Sequence, residues 1–326
     1  MRTANRYFLM AICLGFSALV APALAQEDPS KYPSRPIHLI VGFAAGGGND
    51  IIARVFGQKL AESLGQPVIV ENKPGGGAIV ATEYVAKSAP DGYTLLMSAS
   101  GISINPAVYA KLPYDAVKDF VAVSELASFP LIMIVSANSP IKSVAELVTY
   151  AKANPDKMNY ASSSASFQLV TELFKQKTGA PMQVIPYKSA NESVLAVISG
   201  QVTTTIADAG PVLSQVKSGT ARALAIAASK RMEDLPDVPT LKEAGADVDA
   251  VLWSGIFAPK ATPPGIVKKL EGELMRIAGL PEVIGRLKPL GIDTVGNSSE
   301  EFAKILAADI ARWGAVAKAG NIRIEQ

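Results

Sequence analysis

Residues 37–50 read IHLIVGFAAGGGND, and this stretch decides the fold of the 326-residue chain. Residues 37–41 form a short run rich in apolar, β-branched side chains, which is typical of a buried strand. Three glycines then make a turn, and Asn49 and Asp50 can cap a helix whose apolar residues share one face. A strand, a glycine-rich turn and a helix in this order predict one unit of an α/β sheet.

The same pattern recurs along the chain. Short β-branched runs predict further strands near residues 68–70, 93–97, 121–123, 131–135, 159–161, 184–185, 203–207, 223–227 and 253–259. A serine followed three residues later by glutamate predicts capped helices at Ser143, Ser189 and Ser298. Pro211 is expected to open another helix. Strands that alternate with helices predict mainly parallel sheets covered on both faces.

The units fall into two sets, which predicts a two-domain α/β chain. Domain 2 is expected to span residues 129–254. Domain 1 is expected to be discontinuous, residues 26–128 plus 255–326, because the helical tail lacks strands for a sheet of its own. Two crossover strands, near residues 120–135 and 250–258, then join the domains and form the hinge.

The first 25 residues have the pattern of a secretory signal peptide. Arg2 and Arg6 precede an apolar run, and Ala23-Leu24-Ala25 is a small-x-small cleavage pattern. A membrane anchor is the alternative, but Pro22 interrupts the apolar run where a spanning helix would continue. We expect cleavage after Ala25 and a periplasmic mature protein.

Composition excludes several classes of function. The chain has 31 basic and 29 acidic residues, and two of the basic ones lie in residues 1–25, so the remainder is neutral. A neutral chain is a poor nucleic-acid binder, because that affinity rests on phosphate neutralisation. With one histidine, His38, and one cysteine, Cys13, none of the common metal spacings can be written. We expect no metal and no cofactor, and within its strand His38 is expected to be structural.

Five loops at predicted strand ends are candidates for a ligand site. They span residues 42–50, 98–105, 162–167, 187–191 and 208–211, and Lys188 is their only cation. Ligands of open α/β sheets sit at the carboxyl ends of strands, against helix N-termini. Loops rich in glycine, serine and asparagine expose backbone N–H groups there, which suits an anion held without a counter-charge.

Each loop also has a plainer interpretation, and the alternatives stay open. The glycines at 46–48 can serve strand–helix packing alone. They fail the dinucleotide fingerprint, which needs glycine at Ile51, and the P-loop, which needs lysine at Gly48. The serines at 162–166 can be ordinary loop and cap residues. Asp208 can cap the helix near Pro211, or accept a hydrogen bond from a ligand or a water.

An enzyme is the alternative class of function. Ser139 and Lys142 match SxxK, residues 177–179 read KTG, and residues 189–191 approximate SDN, the motifs of penicillin-interacting enzymes. Their order is wrong and Pro140 follows the would-be nucleophile, so we treat the match as chance. A hydrolase or acyl transferase therefore stays the less favoured interpretation, and we expect no catalysis.

Ten short motifs resemble one known family. They are PSRPI (33–37), IVGFAAGGGND (40–50), VENKPG (70–75), APDGYTL (89–95), INP (104–106), LPYD (112–115), PYK (186–188), GQV (200–202), LPDVPT (235–240) and EAG (243–245). Together they resemble the Bug (TctC-like) substrate-binding proteins of tripartite tricarboxylate transporters. The resemblance covers essentially the whole mature chain.

The resemblance implies a two-domain Venus-flytrap fold of the type II kind. It implies a receptor that closes on a small mono- or dicarboxylate and delivers it to the large and small permease subunits. A receptor that presents its ligand to a sensor kinase is the other possibility, and we expect a monomer. Gly42 departs from the proline usual in the family, and the facing loop lacks the family's Gly and His.

The resemblance and the loops together give a set of predicted ligand-binding residues. They lie in the glycine-rich turn, at the next strand end and in the facing loops of the second domain. The residues are Phe43, Ala45, Gly46, Gly47, Gly48, Asp50, Ser98, Ser100, Ser162, Ser163, Ser164, Ser166, Tyr187 and Asp208.

Overall fold

The computed structural model describes residues 30–324, which form two β-sheets flanked by helices. The signal-peptide prediction lies outside the described residues. The first set of elements is β1 (Ile37–Val41), α1 (Gly48–Leu64), β2 (Val68–Asn72), a 3-10 turn (Gly76–Ala78), α2 (Ile79–Ala86), β3 (Thr94–Ala99), α3 (Gly101–Val108) and β4 (Phe120–Phe129).

The second set begins directly after Pro130. It contains β5 (Leu131–Ser136), α4 (Val144–Ala153), β6 (Asn159–Ser162), α5 (Ala165–Thr178), β7 (Gln183–Pro186), α6 (Ala190–Ile198), β8 (Thr204–Asp208), α7 (Ala209–Lys217) and β9 (Ala221–Ala227). The chain then returns through β10 (Leu252–Pro259), α8 (Pro264–Ala278), α9 (Pro281–Leu287), a 3-10 turn (Lys288–Leu290), β11 (Asp293–Thr294) and α10 (Ser299–Gly320).

The two sheets repeat one strand order. From one edge, the first sheet runs β2-β1-β3-β10-β4-β11 and the second runs β7-β6-β8-β5-β9. In this alignment β1 corresponds to β6 and β10 corresponds to β5. In each, an antiparallel strand inserted among parallel ones is the first strand after the chain has crossed over: β5 in one sheet and β10 in the other. The short β11 at the edge of the first sheet is also antiparallel to its neighbour β4. The crossings lie between Phe129 and Leu131 and between Ala227 and Leu252.

Serine side chains begin the helices where the sequence indicates caps. Ser143, Ser189 and Ser298 each accept a hydrogen bond from the backbone N–H three residues later. Ser298 and Glu301 complete the reciprocal capping box. These three predicted caps are confirmed.

Two predicted helix starts are wrong. Helix α1 has Gly47 as its N-cap, so Asn49 and Asp50 lie inside the first turn and cap nothing. Helix α7 begins at Ala209, two residues before Pro211, with Asp208 at the N-cap position. Proline is tolerated there because first-turn N–H groups have no partner inside the helix.

The helical tail packs on more than the first sheet. Phe302 and Leu306 of α10 join the core that contains β1, β3 and α2. Further along the same helix, Trp313 and Val316 join the core of the second sheet. The second half of α10 therefore contacts residues of both sets, since Ile104 and Val108 of α3 belong to the same core. The domain boundaries stay a prediction.

Candidate functional site

A cavity of about 670 Å³ lies between the two sheets. Loops and helix starts of both halves form its wall, and the last strand and both ends of the tail contribute. The lining residues are Phe43, Gly48, Asn49, Ile51, Gly77, Ala99, Ser100, Gly101, Asn105, Tyr109, Phe129, Ser163, Ser164, Ala165, Ser166, Phe167, Asp208, Gly210, Pro211, Leu252, Trp253, Leu290, Gly291, Ile292 and Ile324.

The two halves touch beside the cavity. Gly291, in the left-handed region at φ 71°, lies so close to α7 that an added Cβ would be 2.7 Å from Ala209 Cβ. Lys288 and Glu233 form an ion pair nearby. These contacts hold the segment after α9 against the start of α7 and against the segment after β9, at one side of the cavity.

The structure brings half of the predicted ligand residues to the cavity wall. These seven are Phe43, Gly48, Ser100, Ser163, Ser164, Ser166 and Asp208. The other seven predicted residues are not among the lining residues: Ala45, Gly46, Gly47, Asp50, Ser98, Ser162 and Tyr187. Their roles as ligand residues stay predictions.

Four helices start at the cavity wall. They are α1 at Gly48, α3 at Gly101, α5 at Ala165 and α7 next to Gly210. The N–H groups of a helix's first turn lack intrahelical partners and carry partial positive charge. Within residues 30–324 the wall contains no Lys, Arg or His. The arrangement suits an anion that is bound by backbone amides.

Asp50 shapes the glycine-rich turn from behind. Its buried carboxylate accepts hydrogen bonds from Gly46 N (2.9 Å), Arg54 Nε (2.9 Å) and Asn72 Nδ2 (2.8 Å). Burial raises the pKa of Asp50, but the hydrogen bonds from Arg54, Gly46 and Asn72 outweigh it and lower the pKa to about 2. Asn72 Nδ2 also donates to Phe43 O at 3.0 Å. Asp50 therefore positions the turn.

Asn49 presents a donor to the cavity. Its Oδ1 accepts a hydrogen bond from Ser254 Oγ at 2.5 Å, and its Nδ2 donates to no other described residue. The Ser100 hydroxyl, in contrast, is engaged with the backbone of Trp253: it accepts from the N–H at 2.7 Å and donates to the carbonyl at 3.2 Å. Asn49 was missed from the sequence as a ligand residue because it was assigned to a cap.

Asp208 does not cap α7 with its side chain, although it occupies the N-cap position. Its carboxylate accepts no hydrogen bond from the described residues, and it lines the cavity. Burial raises the pKa of Asp208 to about 6. An unpartnered carboxylate at the wall of a cavity favours the ligand role over the cap role.

The predicted structural role of His38 is in keeping with its place on the sheet. Its Nδ1 lies 2.5 Å from Glu71 Oε1 on the neighbouring strand, and the side chain is 43% exposed. Of the penicillin-enzyme motifs, Lys177 pairs with Asp247 at 3.2 Å on the surface, and neither Ser139 nor Lys142 is among the residues that line the cavity. In residues 30–324 no group of His, Cys, Asp or Glu is arranged to hold a metal ion.

Most of the apolar wall was not predicted from the sequence. Tyr109, Phe129, Phe167 and Trp253 lie on four different elements or their ends. Trp253 lies in the predicted return crossover near residues 250–258, and this position indicates that it lies close to the cleft between the domains. The others carry no local signal, because a buried aromatic residue in a core and one in a cavity wall look alike in sequence.

Two α/β halves of one strand order, with helix starts facing a cavity between them, define a two-domain solute-binding protein. The sequence model of the tripartite tricarboxylate transporter family receptors, TctC, matches residues 52–322. The chain belongs to this family. The predicted family and the two-domain α/β fold are thus confirmed.

Similar proteins cover nearly the whole chain. BugT of Bordetella pertussis is 33% identical over 98% of this chain and 100% of its own. A Rhodopseudomonas palustris protein solved with adipate is 32% identical, has a TM-score of 0.79, and covers 90% of this chain and 100% of its own. MatC of R. palustris, solved with malate, is 30% identical, has a TM-score of 0.73, and covers 87% of this chain and 99% of its own.

Among the solved relatives, BugD is a periplasmic binding protein and another is a periplasmic transporter. Of the helices in residues 30–324, none is both long enough and apolar enough to cross a membrane.

Proposed function

We propose that the protein is a periplasmic receptor that captures a small organic carboxylate in this cavity. It delivers the ligand to the large and small subunits of a tripartite membrane permease. The family and the carboxylate-bound relatives support the proposal. The domains proposed to close on the ligand are residues 26–128 plus 255–326 and residues 129–254.

The observation that carries the proposal is the meeting of four helix N-termini at a wall whose described residues include no Lys, Arg or His. A carboxylate needs hydrogen-bond donors and positive potential, and helix starts supply both. The amide of Asn49 adds a side-chain donor beside the start of α1. Catalysis has less support, because the wall serines have no His or Lys beside them among the lining residues.

A thermal-shift screen of the mature chain against mono- and dicarboxylates tests the proposal. A ligand at 100 times its Kd stabilises a protein by about 2.7 kcal/mol, which gives a clear shift. The neutral amide of each acid is the matched control, since it keeps the shape and loses the charge. If no carboxylate raises the melting temperature above its amide, the proposal is wrong.

The periplasmic location has its own test. Mass spectrometry of the protein from an osmotic-shock fraction should find an N-terminus at Gln26. An intact Met1 in the cytoplasmic fraction would contradict the proposed export.

A further inference from the structure

The cavity wall is rich in aromatic side chains. Five of the lining residues are aromatic: Phe43, Tyr109, Phe129, Phe167 and Trp253. Leucine and isoleucine fill much of the rest, at Ile51, Leu252, Leu290, Ile292 and Ile324. Aromatic rings pack edge-to-face or offset on one another and gain attraction beyond the area they bury. A wall of this kind favours a ligand with an apolar, flat body.

The charge of the wall favours a ligand with one carboxylate. Helix starts bind that anionic group, as proposed above. A second carboxylate would meet no Lys, Arg or His among the described lining residues, and it would share the cavity with the Asp208 carboxylate. Like charges in a closed site of low polarity repel strongly. Dicarboxylates are therefore disfavoured.

Asn105 supplies a fixed acceptor in the wall. The residue is 5% exposed, and its Nδ2 donates to Gly77 O at 3.2 Å and to Tyr114 Oη at 3.1 Å. These bonds occupy the amide donors and leave Oδ1 as the free group, with no donor among the described residues. Because Asn105 lines the cavity, this oxygen can accept a hydrogen bond from a ligand donor.

The free acceptor stands beside a phenol. A Cβ added at Gly77 would lie 3.9 Å from both Asn105 Oδ1 and Tyr109 Oη, so the two oxygens share one corner of the wall. The same three residues line the cavity. A ligand hydroxyl placed between the two oxygens would donate to Asn105 and accept from Tyr109.

From these features we infer that the preferred ligand is an aromatic monocarboxylate that carries a hydroxyl group. This inference rests on the proposed function and narrows its ligand class. It separates the protein from the relatives solved with adipate and malate, which are aliphatic acids with two carboxylates.

Titration calorimetry with a matched set of acids tests the inference. The set is benzoate, 3- and 4-hydroxybenzoate, cyclohexanecarboxylate, terephthalate, adipate and malate. The better hydroxybenzoate should bind about tenfold more tightly than benzoate, as one buried hydrogen bond provides. Benzoate should exceed cyclohexanecarboxylate, a ring of similar size without π-electrons, by about threefold to tenfold. Terephthalate, adipate and malate should bind at least tenfold more weakly than benzoate.

A variant locates the hydroxyl contact. Asn105→Leu should bring the ratio of hydroxybenzoate to benzoate affinity to about one. The exposed Asn138→Leu is the matched control and should keep the tenfold ratio. Because Asn105 also supports Gly77 and Tyr114, circular dichroism must show that the variant folds. If Asn105→Leu does not fold, a second variant, Phe43→Leu, replaces a loop residue that is only partly buried. It should lower the ratio of benzoate to cyclohexanecarboxylate affinity.

The outcomes separate the inference from the proposed function. Tight binding of adipate or malate, with no aromatic acid bound, overturns the inference and leaves the proposed function standing. Equal affinities of benzoate and cyclohexanecarboxylate also overturn it, as does a hydroxybenzoate ratio unchanged in folded Asn105→Leu. If none of the seven acids binds and no acid in the wider carboxylate screen binds either, the inference and the proposed function are both wrong.

Discussion

The Trp253 indole donates its Nε1 hydrogen to Asp309 Oδ2 at 2.6 Å, and both side chains are buried. Trp253 lines the ligand cavity, and Asp309 lies on α10, which packs into both cores. The other carboxylate oxygen of Asp309 accepts from Arg312 Nη2, also at 2.6 Å. This hydrogen bond ties the cavity wall to the helix that joins the two halves.

Asp309→Ala should destabilise the protein by about 2–4 kcal/mol, because it leaves the buried indole N–H and Arg312 without their acceptor. Glu300→Ala, on the same helix, removes an exposed pair with Lys304 and should cost less than about 0.5 kcal/mol. Urea unfolding measures both. Equal effects of the two substitutions would contradict a structural role of the Trp253–Asp309 hydrogen bond.

Stability should fall as the pH rises from about 4.5 to about 7, because of Glu125. Burial raises the pKa of this carboxyl from 4.5 to about 7 against the hydrogen bond from Asn297, and Asp309 adds to the rise. In this range the folded chain keeps a proton that the unfolded chain releases. The loss amounts to about 3 kcal/mol and is complete above pH 7.

Glu125→Gln isolates that contribution from the other carboxyl groups. Glutamine keeps an oxygen that can accept from Asn297 Nδ2, as Glu125 Oε2 does at 2.8 Å, and it does not titrate. The difference in unfolding free energy between variant and wild type should therefore grow from pH 4.5 to pH 7. A difference independent of pH would show that the pKa of Glu125 in the folded protein is not raised above its unfolded value.

Gly48→Leu should abolish ligand binding. An added Cβ at Gly48 lies 3.8 Å from Phe129 and 4.0 Å from Ile292, both in the cavity wall, so a larger side chain fills the cavity beside the start of α1. We expect a loss of about 100-fold or more in the affinity of any carboxylate, comparable to losing two charge-assisted hydrogen bonds. Gly272→Leu, at an exposed helix position with open space, is the control. Retained affinity would place the carboxylate elsewhere.

Asp208→Asn should improve the binding of dicarboxylates by about tenfold relative to monocarboxylates, since it removes a like charge from the cavity. In the wild type, the same gain should appear as the pH falls below about 6, where Asp208 takes up a proton. Calorimetry with terephthalate and benzoate at pH 5 and pH 7.5 measures the effect.

The same variant distinguishes a cap from a ligand residue. The side chain of Asp208 makes no cap hydrogen bond, and burial disfavours its charge, so Asp208→Asn should keep or raise the melting temperature at pH 7.5. A lowered melting temperature, with dicarboxylate affinity unchanged, would restore the cap interpretation.

Local patterns in the sequence predict the elements well, and distant contacts explain the errors. The strand at residues 37–41 and the cap at Ser298 follow from adjacent residues. Asp50 resembled a cap, but its partner Asn72 lies 22 residues away on β2. Trp313 shares an apolar helix face with Phe302, and nothing nearby shows that the two enter different cores.

In the candidate site, too, the residues with a local sequence pattern were predicted and those that depend on distant contacts were not. The glycine-rich turn and the serines after β6 were found because helix starts have a local composition. The sequence places Asn105 in the INP motif and in the candidate loop 98–105. Its acceptor is fixed by Gly77 and Tyr114, which lie in other parts of the chain. A cavity assembled from so many separate elements cannot be read from any one of them.

Helix α10 also sets the order in which the molecule is completed. A ribosome makes it after every other described helix and strand, yet Phe302 and Leu306 fill one core while Trp313 and Val316 fill the other. Until α10 has packed, wherever the chain folds, it therefore exposes two unfilled apolar grooves that can associate with other chains. The ligand cavity is among the last parts of the protein to take shape.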